Sequence, residues 1–416
     1  DRDRFSYAAL NSHARLTRPR IKQNGGWIEV DWQTALEYVA NGLKDIARDH
    51  GSESIGALAT PNSTLEELYL LQKLVRGLGS HNVDHRLRRA DFSADDERAG
   101  VPWLGQRIEE VQAADALLII GSNIRKEQPL LAHRVRQAVK KRAQLNVLNP
   151  VDEDLLCKVA NKAIVAPGAM VNTLAQIVKA AAEKKGAALG TGYADRLAAI
   201  QPSAVAQGIA DSLCKGERIS ILLGNLAQHH PRAAALHSLA AELARVVGGK
   251  FGFMAEAANS VGAHVAGAVP KSGGLHAAQM IAQPRRAYLL LNVEAELDSH
   301  DPQAAVNAMM QADMVVAMSP FRHLAADYAD VMLPVAPFTE TSGSFVNMEG
   351  RVQSFSAAVK PLGDTRPAWK VLRVLGNMME LVGFEQNSSE DVRNEALPGG
   401  EAAVHAALSN SLKRPV

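Results

Sequence analysis

A series of short, continuously apolar segments constrains the fold of this chain more than any other feature. Each segment ends at a small, polar or turn-forming residue, and its apolar residues run on without alternation. Continuous hydrophobicity indicates strands that are buried on both faces, as in a parallel sheet covered by helices. The predicted strands are Ile55–Thr60, Ala116–Asn123, Leu145–Pro150, Ile164–Gly168, Ile219–Asn225, Ala287–Asn292, Met314–Pro320 and Val331–Pro334.

Helical patterns separate several of these segments. The sequence Ser63-Thr64-Leu65-Glu66 predicts a capping box, and the apolar face that follows it ends at Gly79. Pro129 and Pro231 each open a further helical pattern, and the second of these ends at Gly248. The alternation predicts an α/β protein with two Rossmann-like, doubly wound domains of mostly parallel sheet.

Composition excludes several classes of protein. The 416 residues include 45 Lys and Arg and 44 Asp and Glu, and 47% are hydrophobic, so the chain can form more than one core. Charges of both signs are interleaved, which argues against a general binder of nucleic acid or anionic membranes. The longest nearly apolar run, Ala113–Gly121, contains Asp115 and is too short to span a bilayer.

The cysteines and the first residues indicate the context of the chain. Cys157 and Cys214 are the only cysteines, which excludes a disulfide framework, paired zinc motifs and an all-cysteine iron–sulfur cluster. Such sparse cysteine use favours a reducing cytosol. The chain opens Asp1-Arg2-Asp3-Arg4 without an initiator Met or a signal pattern, so we expect it to be part of a longer chain.

Two strand ends are candidate ligand sites. Gly121-Ser122-Asn123 and Gly224-Asn225 follow predicted strands, and open α/β sheets bind ligands beyond the carboxyl ends of their strands. Backbone amides there could approach a phosphate, although Gly and Asn are also ordinary turn residues. No GxGxxG motif begins either of these strand–helix units, and Gly267–Ser272 lacks the second glycine of a P-loop. Gly186–Gly192 is rich in glycine but follows a helical pattern, so we predict a loop there. The motifs therefore give a nicotinamide or ATP site little support.

Histidines and serines provide weaker candidates. His81 and His85 are four residues apart, but a zinc site needs a third ligand and the segment is loop-like. His229-His230 precedes a helix start, where a capping or solvent-facing role is expected. No GxSxG motif surrounds Ser342 or Ser344, so a serine hydrolase lacks its usual signature.

The most distinctive segments resemble one known family. Ala329–Pro334, Glu340–Gln353 and Ala114–Asn123 resemble conserved parts of the molybdopterin oxidoreductases, and the likeness extends over nearly the whole chain. Within that family, Asp84–Phe92 and Asp1–Leu16 most resemble the large iron–sulfur subunit of bacterial NADH:quinone oxidoreductase, complex I. The resemblance implies the domain arrangement of formate dehydrogenases and dimethyl sulfoxide reductases.

Two departures from the family pattern favour that subunit over an enzyme. Molybdenum enzymes of the family ligate the metal through Cys, selenocysteine or Ser in the region of Arg86–Asp91, and this stretch contains none of them. Asn149 stands where the family usually has an Asp that helps to bind the guanine end of the cofactor. We therefore expect no cofactor in this chain and assign no catalytic, cofactor-binding or metal-ligating residue. Iron–sulfur clusters are expected upstream of Asp1.

The resemblance implies a role within a larger assembly. The whole complex would pass electrons from NADH to quinone, and this part would be a structural scaffold. It would contact other subunits of the peripheral arm, on the cytoplasmic side of the inner membrane, and bind no nucleic acid. The alternatives are a formate dehydrogenase-like molybdopterin enzyme truncated at its cluster domain and a free-standing nucleotide-binding module.

The glycine-rich passage from Gly248 to Gly274 and the resemblance together predict the domain boundaries. Residues 1–29 would be the tail of an upstream iron–sulfur domain. Residues 106–265 would form an inserted α/β domain, and residues 30–105 and 266–380 would form a discontinuous one. Residues 381–416 would be a C-terminal extension, with residues 386–400 as a surface loop or spacer.

Overall fold

The structure is a computed structural model that describes residues 8–271 and 273–416. The prediction of an α/β fold with mostly parallel sheets is confirmed. The part of the resemblance that involves Asp1–Tyr7, and the end of the segment Gly267–Ser272, lie outside the described residues.

Fourteen strands are present in the described residues. They are β1 (Arg20–Gln23), β2 (Gly26–Glu29), β3 (Ile55–Ala59), β4 (Val83–Asp84), β5 (Ala116–Ile120), β6 (Gln144–Asn149), β7 (Asn161–Ile164), β8 (Ile219–Leu223), β9 (Lys250–Phe253), β10 (Ala287–Leu291), β11 (Met314–Ser319), β12 (Val331–Pro334), β13 (Gly343–Val346) and β14 (Val352–Phe355).

The α-helices of the same residues range from single turns to helices of five turns. They are α1 (Trp32–His50), α2 (Leu65–Gly77), α3 (Ile108–Val111), α4 (Ile124–Glu127), α5 (Pro129–Lys140), α6 (Met170–Lys185), α7 (Ala194–Leu197), α8 (Ala204–Cys214), α9 (Asn225–Gln228), α10 (Ala233–Val247), α11 (Ser260–Val265), α12 (Ala277–Ala282), α13 (Ala295–Asp298), α14 (Pro302–Met310), α15 (Ala325–Tyr328), α16 (Ala368–Met378), α17 (Ser389–Ala396) and α18 (Gly400–Ala407). Across residues 8–271 and 273–416, none of these helices has the length and apolar character needed to cross a membrane.

The chain divides into two compact units. The first unit contains the described residues before Arg89, together with Ala257–Val346 and Val352–Ala403. The second unit contains Arg89–Glu256, Asn347–Arg351 and Val404–Val416.

The first unit is built on a seven-stranded sheet in the order β2-β1-β12-β11-β10-β3-β4. The five strands from β12 to β4 are parallel, and β1 and β2 extend one edge in antiparallel fashion. Every residue of β3, β10, β11 and β12 is buried, as their continuous hydrophobicity predicts. Strands β13 and β14 form a separate antiparallel hairpin.

The second unit is built on a parallel five-stranded sheet in the order β7-β6-β5-β8-β9. Alternate residues of β5 enter different apolar clusters: Leu118 and Ile120 pack with residues of α6, α8 and α10, whereas Leu117 and Ile119 pack with residues of α5. Because successive side chains point to opposite faces of a strand, both faces of this sheet are covered by helices.

The unit boundaries lie elsewhere than the predicted residues 106 and 265. Residues 89–105 belong to the second unit, where Phe253 of β9 donates a backbone hydrogen bond to Trp103 (2.8 Å). Gly252 leaves room for this approach, since a Cβ there would lie 1.8 Å from the carbonyl oxygen of Leu104. This contact joins backbone segments that are far apart in the sequence, so a local sequence pattern does not predict it.

The ends of the chain also differ from expectation. Residues 20–29, expected to belong to an upstream domain, form β1 and β2 of the first unit's sheet. The expected spacer contains helix α17, which begins with a capping box at Ser388. Glu395 of α17 accepts hydrogen bonds from Tyr69 (2.9 Å) and Lys73 of α2.

The capping box of α2 lies one residue later than predicted, at Thr64 and Glu67. The predicted capping residue Glu66 instead accepts a hydrogen bond from the backbone N–H of Ser344 (2.8 Å).

Candidate functional site

The predicted ligand site at the strand ends of the second unit is occupied by its own backbone contacts. The amide of Gly121 donates to the carbonyl of Leu148 (2.9 Å), and the amide of Gly224 donates to that of Ile120 (2.9 Å). The amide of Ser122 donates to Oδ1 of Asn149 (3.0 Å). Of the five backbone amides in the two candidate segments, those of Gly121, Ser122 and Gly224 are therefore used within the fold.

The two glycines are required by the close approach of two loops. Gly121 has a φ of +61°, and a Cβ on it would lie 2.6 Å from the backbone nitrogen of Ala227. A Cβ on Gly224 would lie 2.2 Å from Cβ of Ser122. Their presence is thus explained by packing between the ends of β5 and β8, without a ligand.

Asn149 is buried at the end of β6, and both its side-chain oxygen and its side-chain nitrogen form hydrogen bonds. Besides accepting from Ser122, it donates through Nδ2 to the carbonyls of Ser122 (3.3 Å) and Val151 (3.0 Å). A carboxylate at this position would lack the two donated bonds. The Oδ1 atom of Asn225, at the neighbouring strand end, is buried without a partner among the described residues, so a bound N–H or O–H group could still be accepted at this edge.

The segment where family enzymes carry the metal ligand forms a buried ion pair in the first unit. Asp84 accepts from Nε (2.7 Å) and Nη2 (3.0 Å) of Arg86 and from the amides of His85 (2.8 Å) and Ala277 (3.0 Å). Burial by itself would raise the pKa of Asp84, but the charge and hydrogen bonds of Arg86 lower that pKa to about 2. Asp84 is therefore held as a carboxylate.

The histidine candidates have structural roles. Nδ1 of His85 lies 2.8 Å from the carbonyl of Ala268, so it carries the proton and donates, whereas His81 is exposed. In the second unit, Nε2 of His229 lies 3.4 Å from Glu256, and Nδ1 of His230 accepts from the amide of Arg232 (2.9 Å). None of these histidines belongs to a group of metal-ligand type within residues 8–271 and 273–416.

One group of metal-ligand type was missed by the sequence analysis. Glu294, Glu296 and His323 of the first unit offer ligand atoms within 4.8 Å of one another, after strands β10 and β11. Nδ1 of His323 accepts from the amide of Ala325 (3.1 Å), so the neutral ring carries its proton on Nε2. That tautomer disfavours coordination through Nε2, and we assign no metal to the group. Its position after two strand ends was the only signal in the sequence.

The serines of the distinctive segment contact other hydroxyl groups. Oγ of Ser344 lies 2.8 Å from Oγ of Ser354 across the hairpin, and Oγ of Ser342 accepts from Ser389 (3.3 Å). A serine nucleophile needs a neighbouring base, and neither of these hydrogen bonds involves one. Both serines therefore have structural roles.

The tip of the hairpin is a local polar turn in the second unit. Oε2 of Glu349 accepts from the amide of Ile108 (2.7 Å), and Oε1 of Glu349 lies 3.5 Å from Nε of Arg351. The two charged side chains are thus paired, as expected for a structural turn rather than a ligand site. Gly350 between them has a φ of +88°.

Replacing Gly350 by alanine should destabilise the second unit. Alanine is strained at this φ, and its Cβ would lie 2.5 Å from Cδ1 of Leu408, so we expect the free energy of unfolding to fall by about 1–3 kcal/mol. Thermal unfolding would show this as a lower Tm. Gly168→Ala is the matched control, because its Cβ would meet nothing within 4 Å. An equal Tm change in both variants would contradict the explanation.

Comparison with known proteins identifies the family. Residues 15–378 match the family described as molybdopterin oxidoreductase. The chain belongs to the molybdopterin oxidoreductase family. Putative formate dehydrogenases of Staphylococcus aureus strains MRSA252 and USA300 are each 24% identical to it over 99% of this chain and 49% of their own length. The chain spans about half the length of the curated relatives it matches.

Solved structures show the same fold. Acetylene hydratase from Pelobacter acetylenicus superposes with a TM-score of 0.69 at 16% identity, over 93% of this chain and 65% of that one. A chain of the formyltransferase/hydrolase complex from Methylorubrum extorquens superposes with a TM-score of 0.60 at 19% identity, over 87% of this chain and 98% of that one. These likenesses concern the fold alone.

Family membership overturns the expectation of a chain without a cofactor. Domains of this family normally bind the molybdopterin cofactor, so the cofactor-free assignment was wrong. The residues singled out from the sequence nevertheless do not fit that group: three of the five strand-end amides are engaged within the fold, and Arg86–Asp91 offers no sulfur or hydroxyl ligand. Burial raises the pKa of the Cys157 and Cys214 thiols in the second unit, which disfavours thiolate ligands. We therefore derive no chemical step through the cofactor.

Proposed function

We propose that this chain is the pterin-binding part of a larger molybdopterin-dependent oxidoreductase similar to formate dehydrogenases. The observation that carries the proposal is the alignment with putative formate dehydrogenases along 99% of the chain. The two parallel sheets support it at the level of the fold alone, because open sheets of this kind bind ligands beyond the carboxyl ends of their strands, although the amides of Gly121, Ser122 and Gly224 there are engaged within the fold. The cofactor would supply the redox chemistry, and no individual residue of this chain is assigned a catalytic role.

A second candidate is the large iron–sulfur subunit of complex I. The observation that favours it is the segment Asp84–Phe92, which resembles that subunit and in which Asp84 and Arg86 form a buried pair. In this candidate, clusters bound upstream of Asp1 would pass electrons from NADH towards quinone. The chain would pack against other peripheral-arm subunits, on the cytoplasmic side of the inner membrane.

The two candidates differ in the cofactor that the complete protein binds and in the substrate that it oxidises. We would purify the complete protein from cells that make the molybdenum cofactor and measure molybdenum, the fluorescence of oxidised pterin and formate-dependent dye reduction. The proposal predicts stoichiometric pterin and formate activity. The same protein from cells unable to make the cofactor is the matched control and should lack both.

The opposite result would favour the second candidate. Protein without pterin or formate activity that co-purifies with NADH:quinone oxidoreductase activity would contradict the proposal. The iron content of the complete protein does not discriminate, because both candidates expect clusters upstream.

A further inference from the structure

The dipeptide Asn-Gly occurs twice in the chain, at Asn24-Gly25 and at Asn41-Gly42. In this dipeptide the backbone nitrogen of glycine can attack the side-chain amide of asparagine, because glycine has no Cβ to obstruct the approach. Both asparagines belong to the first unit, and both are exposed to solvent. A difference in reactivity between them therefore comes from the backbone rather than from residue type or from access of water.

Asn24 and Gly25 form the turn that joins β1 to β2. Gln23 pairs with Gly26, so the turn contains only these two residues. Their φ angles are +48° and +77°, as in the type I′ turn for which Asn-Gly is a preferred dipeptide. A Cβ on Gly25 would meet nothing within 4 Å. The turn therefore has room to change its backbone conformation.

The attacking atom in this turn, the amide nitrogen of Gly25, is not engaged in the fold. It donates no backbone hydrogen bond in the part of the chain that the structure describes. Exposed turns held by few buried contacts open locally at a low cost in free energy. The nitrogen can therefore approach Cγ of Asn24 without losing a hydrogen bond of its own.

Asn41 and Gly42 instead lie in the middle of helix α1. Helical geometry has the amide of Gly42 donate to the carbonyl four residues earlier, that of Tyr38. Gly42 also packs closely against β11, since a Cβ on it would lie 2.0 Å from Cε of Met314. Attack on Asn41 requires this turn of the helix to open, which breaks helical hydrogen bonds and separates a packed face.

We propose that Asn24 is a site of spontaneous deamidation and that the fold protects Asn41. The Gly25 nitrogen gives up its proton and forms a bond to Cγ of Asn24, while the bond from Cγ to the side-chain nitrogen breaks and ammonia leaves. Water then opens the resulting succinimide ring at either carbonyl, which gives aspartate or isoaspartate. No oxidant or reductant is needed. The inference goes beyond the proposed function and does not depend on it.

The two products affect the hairpin of β1 and β2 differently. Aspartate keeps the backbone unchanged and, like asparagine, tolerates a positive φ. Isoaspartate adds one carbon atom to the backbone of a two-residue turn, so the pairing of Gln23 with Gly26 cannot be kept. The same hairpin places Trp27, whose Nε1 donates to the carbonyl of Ala326 (3.2 Å). Isoaspartate at residue 24 would therefore loosen this edge of the sheet.

The test is incubation of the purified protein at mildly alkaline pH, followed by digestion and mass spectrometry. Trypsin leaves both asparagines in one peptide, Gln23–Lys44, so fragment ions compare the two sites directly. Deamidation should be at least about tenfold faster at Asn24 than at Asn41, because only the second reaction waits for a helix to open. The rate at Asn24 should rise with pH, because the attacking nitrogen must lose its proton.

Two controls separate the effect of the structure from that of the dipeptide. In denaturant the two sites should react at similar rates, since both present the same pair of residues. Asn24→Asp should abolish most of the time-dependent gain of negative charge seen by ion-exchange chromatography, whereas the matched variant Asn41→Asp, also at an exposed position, should leave it unchanged. Equal rates at the two sites of the folded protein, or modification of Asn24 only after denaturation, would overturn the proposal.

Discussion

Replacing Asp84 by asparagine should lower the free energy of unfolding by about 3–5 kcal/mol. The substitution removes the carboxylate charge of Asp84 that pairs with the guanidinium of Arg86, and the Arg86 side chain is only 7% exposed. Removing one partner of a buried ion pair costs more than the pair contributes, because the remaining charge stays desolvated. Chemical denaturation followed by tryptophan fluorescence would measure the loss.

Two further variants separate this explanation from a general effect of the substitution. Asp45→Asn makes the same change in an exposed pair with Arg48 and should alter stability little. Adding Arg86→Met to Asp84→Asn removes the buried positive charge as well and should recover part of the loss. If the double variant is no more stable than Asp84→Asn, the buried charge is not the cause.

Glu67 should make the stability of the first unit depend on pH. Burial raises the pKa of Glu67 to about 7 from an ordinary value of 4.5, and the adjacent Glu66 adds to the effect, although the hydrogen bond from the Thr64 amide opposes it. The folded state therefore holds this proton to higher pH than the unfolded state does. The contribution is present below pH 4.5 and is lost as the pH rises through about 7.

The expected loss from this one group is roughly 3 kcal/mol between acid and neutral pH. Glu67→Gln keeps a capping side chain at the same position but does not titrate, so its free energy of unfolding should exceed that of the unsubstituted protein increasingly as pH rises. Denaturation at a series of pH values measures the difference. Glu37→Gln, at an exposed site in helix α1, is the control and should leave the pH profile unchanged. Parallel profiles for the unsubstituted protein and Glu67→Gln would contradict the raised pKa.

The strands and their class could be predicted because their signals are local. The apolar runs at Ile55, Ala116, Ile219, Ala287 and Met314 each became a buried parallel strand. Continuous hydrophobicity indicates a strand that is buried on both faces, and this signal does not depend on which other strands pair with it. The family could also be inferred from the sequence, because its motifs are contiguous segments, whereas the branch within the family depends on a few positions and stays a proposal.

The roles of individual residues depended on contacts between distant parts of the chain. From the sequence, the segments of Gly121 and Gly224 were candidates for binding a phosphate through backbone amides. In the structure each glycine packs against the loop of the other, and Asn149 accepts a hydrogen bond from the amide of Ser122 in one of those loops. Tyr69 and Lys73 of α2 donate to Glu395 of α17, which lies more than three hundred positions later. The sequence by itself determined the central buried strands of both sheets and the helix that begins at Pro129, since those signals are carried by residue type and spacing, whereas the strand predicted at Ile164–Gly168 is Asn161–Ile164 in the structure. Only the tertiary structure decided which polar atoms are satisfied, because a hydrogen bond depends on where folding places its partner.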